Sequence, residues 1–210
     1  MAAVNAHQWS LIRKRVLEYD EVIDIQRKQV YSDRDKVITE DDVSDIVYKM
    51  ISYSVEETVN RYVNEAIPSD MWDIKALMRE YKDKIEFDKK AKEIAEMSAD
   101  EIHDYVEAMA FGEYEKKKEI LGNIMLTIQK SILLQSIDEN WMNHVDAMDE
   151  LKRYIGLRSY AQRDPIVEYK KEGFEMFDDM NRNIKNQVCD KILELKIVYR
   201  SEDEEANDEE

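Results

Sequence analysis

Turn-forming residues are nearly missing from this sequence: four glycines and two prolines stand in 210 positions, where average usage would supply about 15 and 10. So few leave little room for hairpin turns or strand crossovers, which disfavours a β-sandwich, a βαβ nucleotide fold and a collagen-like chain. Cysteine occurs once, at Cys189. That excludes an internal disulfide framework and a multi-cysteine zinc site, and makes a reducing, cytoplasmic setting the default. No apolar run approaches the ~18 residues of a membrane-spanning helix, and Met1 to Ser10 lacks the basic start and apolar core of a signal peptide. Positive charge is short as well. Asp and Glu number 48 against 31 Lys and Arg, a formal charge of −17, so nucleic acid, which needs clustered positive potential, is not an expected partner. What remains is 43% hydrophobic and 38% charged, the balance of long amphipathic helices with wet outer faces. The expected fold class is all-α.

From Trp9 to Ile38, apolar residues recur at three- and four-residue spacing through Ile12, Val16, Tyr19, Ile23, Val30 and Val37, a helix pattern. Thr39, followed by Glu40, Asp41 and Asp42, reads as an N-cap with acids in the next first turn. Whether that residue caps a second helix or kinks one long rod stays open here. The following stripe runs through Val43, Ile46, Val47, Met50, Ile51, Ser54 or Val55, Val59, Val63 and Ile67. Pro68-Ser69 breaks it. Ser69 and Asp70 are expected to cap a short helix up to Tyr81, and the charged run Lys82 to Lys92 to form a solvated connection. Ser98-Ala99-Asp100-Glu101 is a capping box, and Gly112 is expected to end the helix it opens, so that residues 68–112 make a small separate lobe.

The longest pattern starts near Glu113 and continues into a heptad-like series, Leu134, Ile137, Trp141, Val145, Met148, Leu151 and Ile155, with Gly156 expected as the terminating C′ residue. Asp164-Pro165 supplies the next N-cap and N1 proline. The stripe of the returning helix is Tyr169, Phe174, Phe177, Met180, Ile184, Val188, Ile192 and Leu195. Two apolar-faced helices joined by about nine residues must fold back antiparallel. Leu134, Trp141, Met148 and Phe177 are the expected core of that hairpin, and the tip loop is placed at 156–164. Ser201 to Glu210 holds seven acids and no base, an acidic tail expected to be disordered.

Chemistry-bearing motifs are scarce. A di-iron bundle needs two Glu-x-x-His repeats, and only Asp100-Glu101-Ile102-His103 sets an acid three residues ahead of a histidine. His7, His103 and His144 are read as ordinary polar positions, and Trp141 and the methionines as core filling. No histidine can be placed beside Cys189 to activate it, and no glycine-rich phosphate cradle exists. No metal or cofactor is expected on this chain, and no enzyme activity of its own. The hairpin loop differs from everything around it. Lys152 to Arg163 carries Lys152, Arg153, Arg158 and Arg163 with no acid, together with Leu157 and Tyr160. Two readings stand: the apolar side chains fold back over the helix ends, or the tip protrudes and touches another molecule.

These residues resemble a known family. Leu17-Glu18-Tyr19-Asp20-Glu21-Val22, followed by Gln26-Arg27, Val30-Tyr31 and Arg34, is similar to the opening of the scaffold helix of SecA, the ATPase motor of bacterial preprotein export. Met71-Trp72-Asp73-Ile74 resembles the start of its helical wing. Leu134-Gln135-Ser136-Ile137-Asp138 with Trp141, His144 and Ala147-Met148-Asp149 resembles the first finger helix. Ile155-Gly156-Leu157-Arg158 and Tyr160-Ala161-Gln162-Arg163-Asp164-Pro165 resemble the fingertip, with Ser159 where glycine is often found. Glu168-Tyr169-Lys170 and Phe174, Met176 and Phe177 continue the likeness into the returning helix.

The resemblance implies a first scaffold segment over 1–67, a wing over 68–124, a second scaffold segment with a two-helix finger over 125–200, and the tail 201–210. It further implies a non-catalytic part of the motor, with ATP and magnesium bound by nucleotide-binding domains absent from these residues. The implied partners are those domains, the preprotein-crosslinking domain, the SecYEG channel, unfolded preprotein and anionic lipid. The implied location is the bacterial cytoplasm and the cytoplasmic face of the inner membrane, where the part peripherally attached there would couple ATP turnover to preprotein movement and restrain basal ATPase. Leu157, Arg158, Ser159, Tyr160 and Arg163 are the implied contact residues of the fingertip, with Tyr160 meeting the moving polypeptide. A reading from another class is a stand-alone helical adaptor that oligomerises or binds partners through its long stripes.

Overall fold

Seven α-helices and a single 3₁₀ turn, with no strand, account for the regular structure of the described residues in the computed structural model, which are 2–158 and 164–197. Side chains are described for 14–155 and 164–197. The helices are α1 (Ala2–Thr39), α2 (Ser44–Tyr62), α3 (Ile74–Glu80), α4 (Ala91–Ile94), α5 (Ala99–Leu121), α6 (Asn123–Arg158) and α7 (Pro165–Leu193), with the 3₁₀ turn at Ser69–Met71. The all-α expectation is met.

Several helix ends follow from local chemistry. The capping box at Ser98 forms as expected: its hydroxyl accepts the Glu101 N–H at 3.3 Å, and the Glu101 carboxylate accepts the Ser98 N–H at 2.8 Å. Asp164 opens α7 as expected, its carboxylate accepting the Ile166 N–H at 3.1 Å ahead of Pro165 at the first helical position.

Other ends correct the sequence reading. Thr39 closes α1 instead of opening α2, its hydroxyl donating to the Asp35 carbonyl at 2.8 Å. The rod is therefore broken at 40–43, and α2 starts from the Val43 carbonyl, which accepts from Ile46 and Val47. Ser69 and Asp70 form the 3₁₀ turn, while Asp73 caps α3 by accepting the Ala76 N–H at 2.9 Å. α5 runs straight through Gly112, and the break comes at Gly122, whose φ of 51° is open to glycine and strained for other residues. α6 likewise passes Gly156 and ends at Arg158.

The chain divides into two compact units, with boundaries inside α2 at 50/51, α6 at 125/126 and α7 at 188/189. In the unit holding residues 51–125, a four-residue repeat on α2, Ile51, Val55 and Val59 continuing to Val63, is buried, as are Ile102, Val106, Ala110 and Tyr114 of α5. Each such aliphatic side chain removed from water is worth about 1.5–3 kcal/mol. The stretch read as a solvated connection is held by aromatics instead: Phe87 stands edge-on to buried Tyr81 at 6.2 Å, the Tyr105 hydroxyl donates to Asp88 at 2.6 Å, and Ile85 is buried. Lys84 reaches Asp190 at 2.7 Å, and the Lys117 ammonium donates to the free Leu193 carbonyl at the end of α7. The other unit contains α1, the start of α2 and most of α6 and α7. Its core includes Val30, Val37, Val43, Val47, Leu133, Ile137, Met148, Met180, Ile184 and Val188. This second unit carries the candidate site.

Candidate functional site

α1 lies along α6 in one antiparallel register, because four contacts rise in number on one helix as they fall on the other. Lys152 Nζ meets Asp20 at 3.1 Å, His144 Nε2 stands 3.0 Å from Gln26 Oε1, Arg34 Nε donates to Asp138 at 3.0 Å, and Lys130 Nζ donates to the Ile38 carbonyl at 3.2 Å. Lys130 thereby satisfies one of the carbonyls left open in the last turn of α1. α1 is parallel to α7: the rings of Tyr19 and Tyr169 meet edge to face at 4.7 Å, and Gln26 Nε2 donates to the Gly173 carbonyl at 3.0 Å. α6 and α7 run antiparallel, joined by Asn140 to Gln187 at 2.5 Å and by Gln187 to Glu139 at 2.9 Å. The hairpin is thus one side of a three-helix assembly.

Packing explains why the helices come so close. Met148 is fully buried with Leu151, Ile155 and Tyr169, and Tyr19, Val22 and Ile23 of α1 pack on that cluster. A Cβ on Gly173 would sit 2.6 Å from Met148 Cε and 3.9 Å from Val22, so the missing side chain is the space the methionine fills. Tyr169 has its phenol pushed up to about 12, by burial first and then by Asp149 and Asp20.

At the middle of this assembly sits a buried polar pair. Gln26 and His144 are 6% and 5% exposed. The ring of His144 lies 5.8 Å from Trp141 and 5.6 Å from Phe177. The Gly173 carbonyl can only accept, so the Gln26 amide nitrogen faces it and the amide oxygen faces the imidazole. His144 therefore donates from Nε2. Burial holds its pKa below the ordinary histidine value.

The sequence-expected hairpin core is distributed unevenly: Met148 is fully buried, whereas Leu134, Trp141 and Phe177 are half-buried, and Leu133 takes the interior position beside Leu134. Phe174, placed on the stripe by its spacing, is 70% exposed. At the bend, Leu157 and Arg158 belong to the last turn of α6, so this helix continues past 156, where the loop was expected to begin, and α7 starts at Pro165. Of the basic residues assigned to the loop, Lys152 is neutralised by Asp20, a pairing across 132 positions. Ser159, Tyr160, Arg163 and the tail 201–210 lie outside the described residues, as do the side chains of Leu157 and Arg158.

Sequence reasoning missed Gln26 and His144. The signal was present: both are polar residues on otherwise apolar lines, Gln26 between Ile23 and Val30, and His144 between Ile137 and Met148. Among the described residues no three His, Cys, Asp or Glu side chains stand together as a metal site, and no helix is long and apolar enough to cross a membrane.

Comparison with known proteins gives a match over residues 3–196 to the family model described as the SecA wing and scaffold domain. The chain is 38% identical over 190 residues to the protein translocase subunit SecA of Pelotomaculum thermopropionicum, covering 89% of this chain and 21% of that one. It is 37% identical to SecA of Syntrophomonas wolfei, covering 95% and 24%, and 36% identical to SecA of Carboxydothermus hydrogenoformans, covering 91% and 22%. The chain spans between 21% and 24% of the length of these relatives.

Proposed function

The chain belongs to the SecA wing and scaffold domain family, and from that premise we propose that it is the helical part of a preprotein translocase motor. In this reading it carries no chemistry itself. It couples ATP hydrolysis, performed by nucleotide-binding domains beyond these residues, to movement of unfolded preproteins through the SecYEG channel, and it restrains ATP hydrolysis at rest. The motor works in the cytoplasm and peripherally at the cytoplasmic face of the inner membrane.

One observation supports the mechanical role above others. The α6–α7 hairpin is fastened to α1 at four stations, from Asp20–Lys152 near the bend to Ile38–Lys130 near the base. Eighteen residues of α1 separate Asp20 from Ile38, about 27 Å at 1.5 Å per residue. A rod braced over that length passes on displacement at its base without losing it in bending. The tip residues Leu157, Arg158, Ser159, Tyr160 and Arg163 would then meet channel and preprotein, the tyrosine ring offering contact that any polypeptide sequence accepts. The remaining basic residues of the tip suit acidic channel loops or anionic lipid. The wing and scaffold would occupy 68–124 and the segments on either side.

α1 also exposes Leu17, Ile25 and Tyr31, at 68%, 62% and 52%. Those side chains fit a surface that the motor's other domains cover. They equally fit the adaptor reading, in which a second copy of the chain covers them, and sedimentation of the full-length protein distinguishes the two. For the motor, Tyr160→Ala in the full-length protein should reduce preprotein transport into SecYEG vesicles several times more than basal ATP hydrolysis. Equal loss of both activities would contradict the tip role.

A further inference from the structure

Unit by unit, the buried polar pair Gln26–His144 is the feature that the mechanical reading leaves unused. Its chain of donors has one direction: His144 Nε2–H donates to Gln26 Oε1, and Gln26 Nε2–H donates to the Gly173 carbonyl, each at 3.0 Å. Three helices are thereby joined through one amide. Every acceptor in the chain is uncharged. The groups facing the ring are Gln26 from α1, Trp141 from α6 and Phe177 from α7, and none carries charge.

Several charged side chains on the neighbouring turns pair with one another, and on α6 Asp146 and Asp149 are exposed to solvent. On α1, Asp24 pairs with Arg27 and Lys28 at the surface, and Arg34 pairs with Asp138 of α6. On α7, Asp178 and Asp179 pair with Arg182. An imidazolium at position 144 would therefore be a buried cation with no counter-charge, the costliest kind of buried group. Hydrophobic contacts alone tolerate sliding of one helix on another, whereas a directional buried hydrogen bond does not, because a shifted register leaves its groups unpaired.

We propose that Gln26 and His144 form a proton-sensitive latch between α1 and the α6–α7 hairpin, closed while the imidazole is neutral and opened when the ring takes a second proton. Closed, it fixes the register of the hairpin on α1 at its midpoint. The second proton goes to Nδ1 and leaves the Nε2 donor in place, so opening is driven by the water that the buried cation draws in. Once water enters beside the ring, the hairpin is held only by its surface ion pairs and its apolar cluster and moves more freely against α1. The downward effect of burial on the histidine agrees with this sense. With the folded value depressed, the latch contributes fully above the ordinary histidine value of about 6.5, and its contribution is lost as pH falls through the folded value. The inference stands apart from the translocation reading, since it concerns how one unit holds itself together.

The test uses the 210-residue chain as it is. Histidine ring ¹⁵N–¹H correlation at about pH 7.5 should show His144 as the Nε2–H tautomer, titrating below about 6.5. Amide exchange of α6 and α7 near residues 140–180, corrected for intrinsic rate, should rise severalfold between about pH 7.5 and about pH 5. His144→Gln, which keeps an N–H donor but does not titrate, should abolish that pH dependence. Gln26→Leu should give fast exchange at both pH values. An Nδ1–H tautomer, pH-independent exchange in the native chain, or the same pH dependence in His144→Gln would each overturn the latch. Should either variant fail to fold, the tautomer and titration of the native chain decide alone.

Discussion

Gly173 occupies the place where Met148 of the facing helix ends, and the contact shows how one absent methyl group sets a helix–helix distance. A Cβ there would meet Met148 Cε at 2.6 Å in a buried cluster. Two effects of Gly173→Ala then oppose each other. Overpacking a core costs about 1–3 kcal/mol, while alanine in a helix interior gains about 1 kcal/mol over glycine. Met148 is itself buried, so its flexible tip must repack to make room, and the steric term should win by about 1 kcal/mol in urea unfolding. In a Met148→Ala background, itself costing about 2–5 kcal/mol, the collision is gone and the sign should reverse, with Gly173→Ala stabilising. Equal effects in both backgrounds would show that the contact does not set the approach. At this scale the sequence was partly legible. Met148 was placed in the hairpin core from spacing alone, but His144 was read as an ordinary polar position and Gln26 was given no role in the core, because the two partners lie 118 positions apart on different helices.

Helix ends show where local rules suffice and where they fail. Ser98 and Asp164 cap their helices as their sequence neighbourhoods dictate, since every bond involved spans three residues or fewer. Glycine was the weaker guide. Gly112 lies in α5 between buried Ala110 and buried Tyr114, and their burial outweighs the cost of about 1 kcal/mol for glycine inside a helix. Gly122 carries the positive φ and does interrupt the chain. The two should respond oppositely to the same substitution. Nothing lies within 4 Å of a Cβ at either position, so space plays no part. Gly112→Ala should raise stability by about 1 kcal/mol through propensity. Gly122→Ala should lower it by about 1–2 kcal/mol through backbone strain. Thermal unfolding of both variants checks the pair, and a shift of the same sign in both would refute the assignment of the break to Gly122.

For the whole molecule, the proposed restraint on ATP hydrolysis has a direct consequence. Adding the 210-residue chain to a SecA nucleotide-binding core that lacks it should lower basal ATPase in a saturable way. No change at saturation, with the chain shown to be helical by circular dichroism, would count against a regulatory contact. Surface ion pairs such as Asp20–Lys152 and Arg34–Asp138 are each worth no more than about 1 kcal/mol. The grip of α1 on the hairpin therefore rests mainly on the buried cluster and the buried hydrogen bonds, and high salt should weaken it little.

The amino-acid order by itself determined that this chain is helical, where most helices carry their apolar faces, and that two of them fold back on each other at Asp164-Pro165. Those are consequences of propensity, periodicity and capping, all of which act within a turn or two of the backbone. Only the tertiary structure decided that α1 joins the hairpin as a third helix, that Leu133 and not Leu134 faces inward, and that Gln26, His144 and the Gly173 carbonyl meet. A stripe tells which side of a helix is buried but not which other helix covers it or at what axial offset. That offset is fixed by a few long-range fits, a methionine against a glycine and an imidazole against an amide, which come into being only when the faces are already in contact.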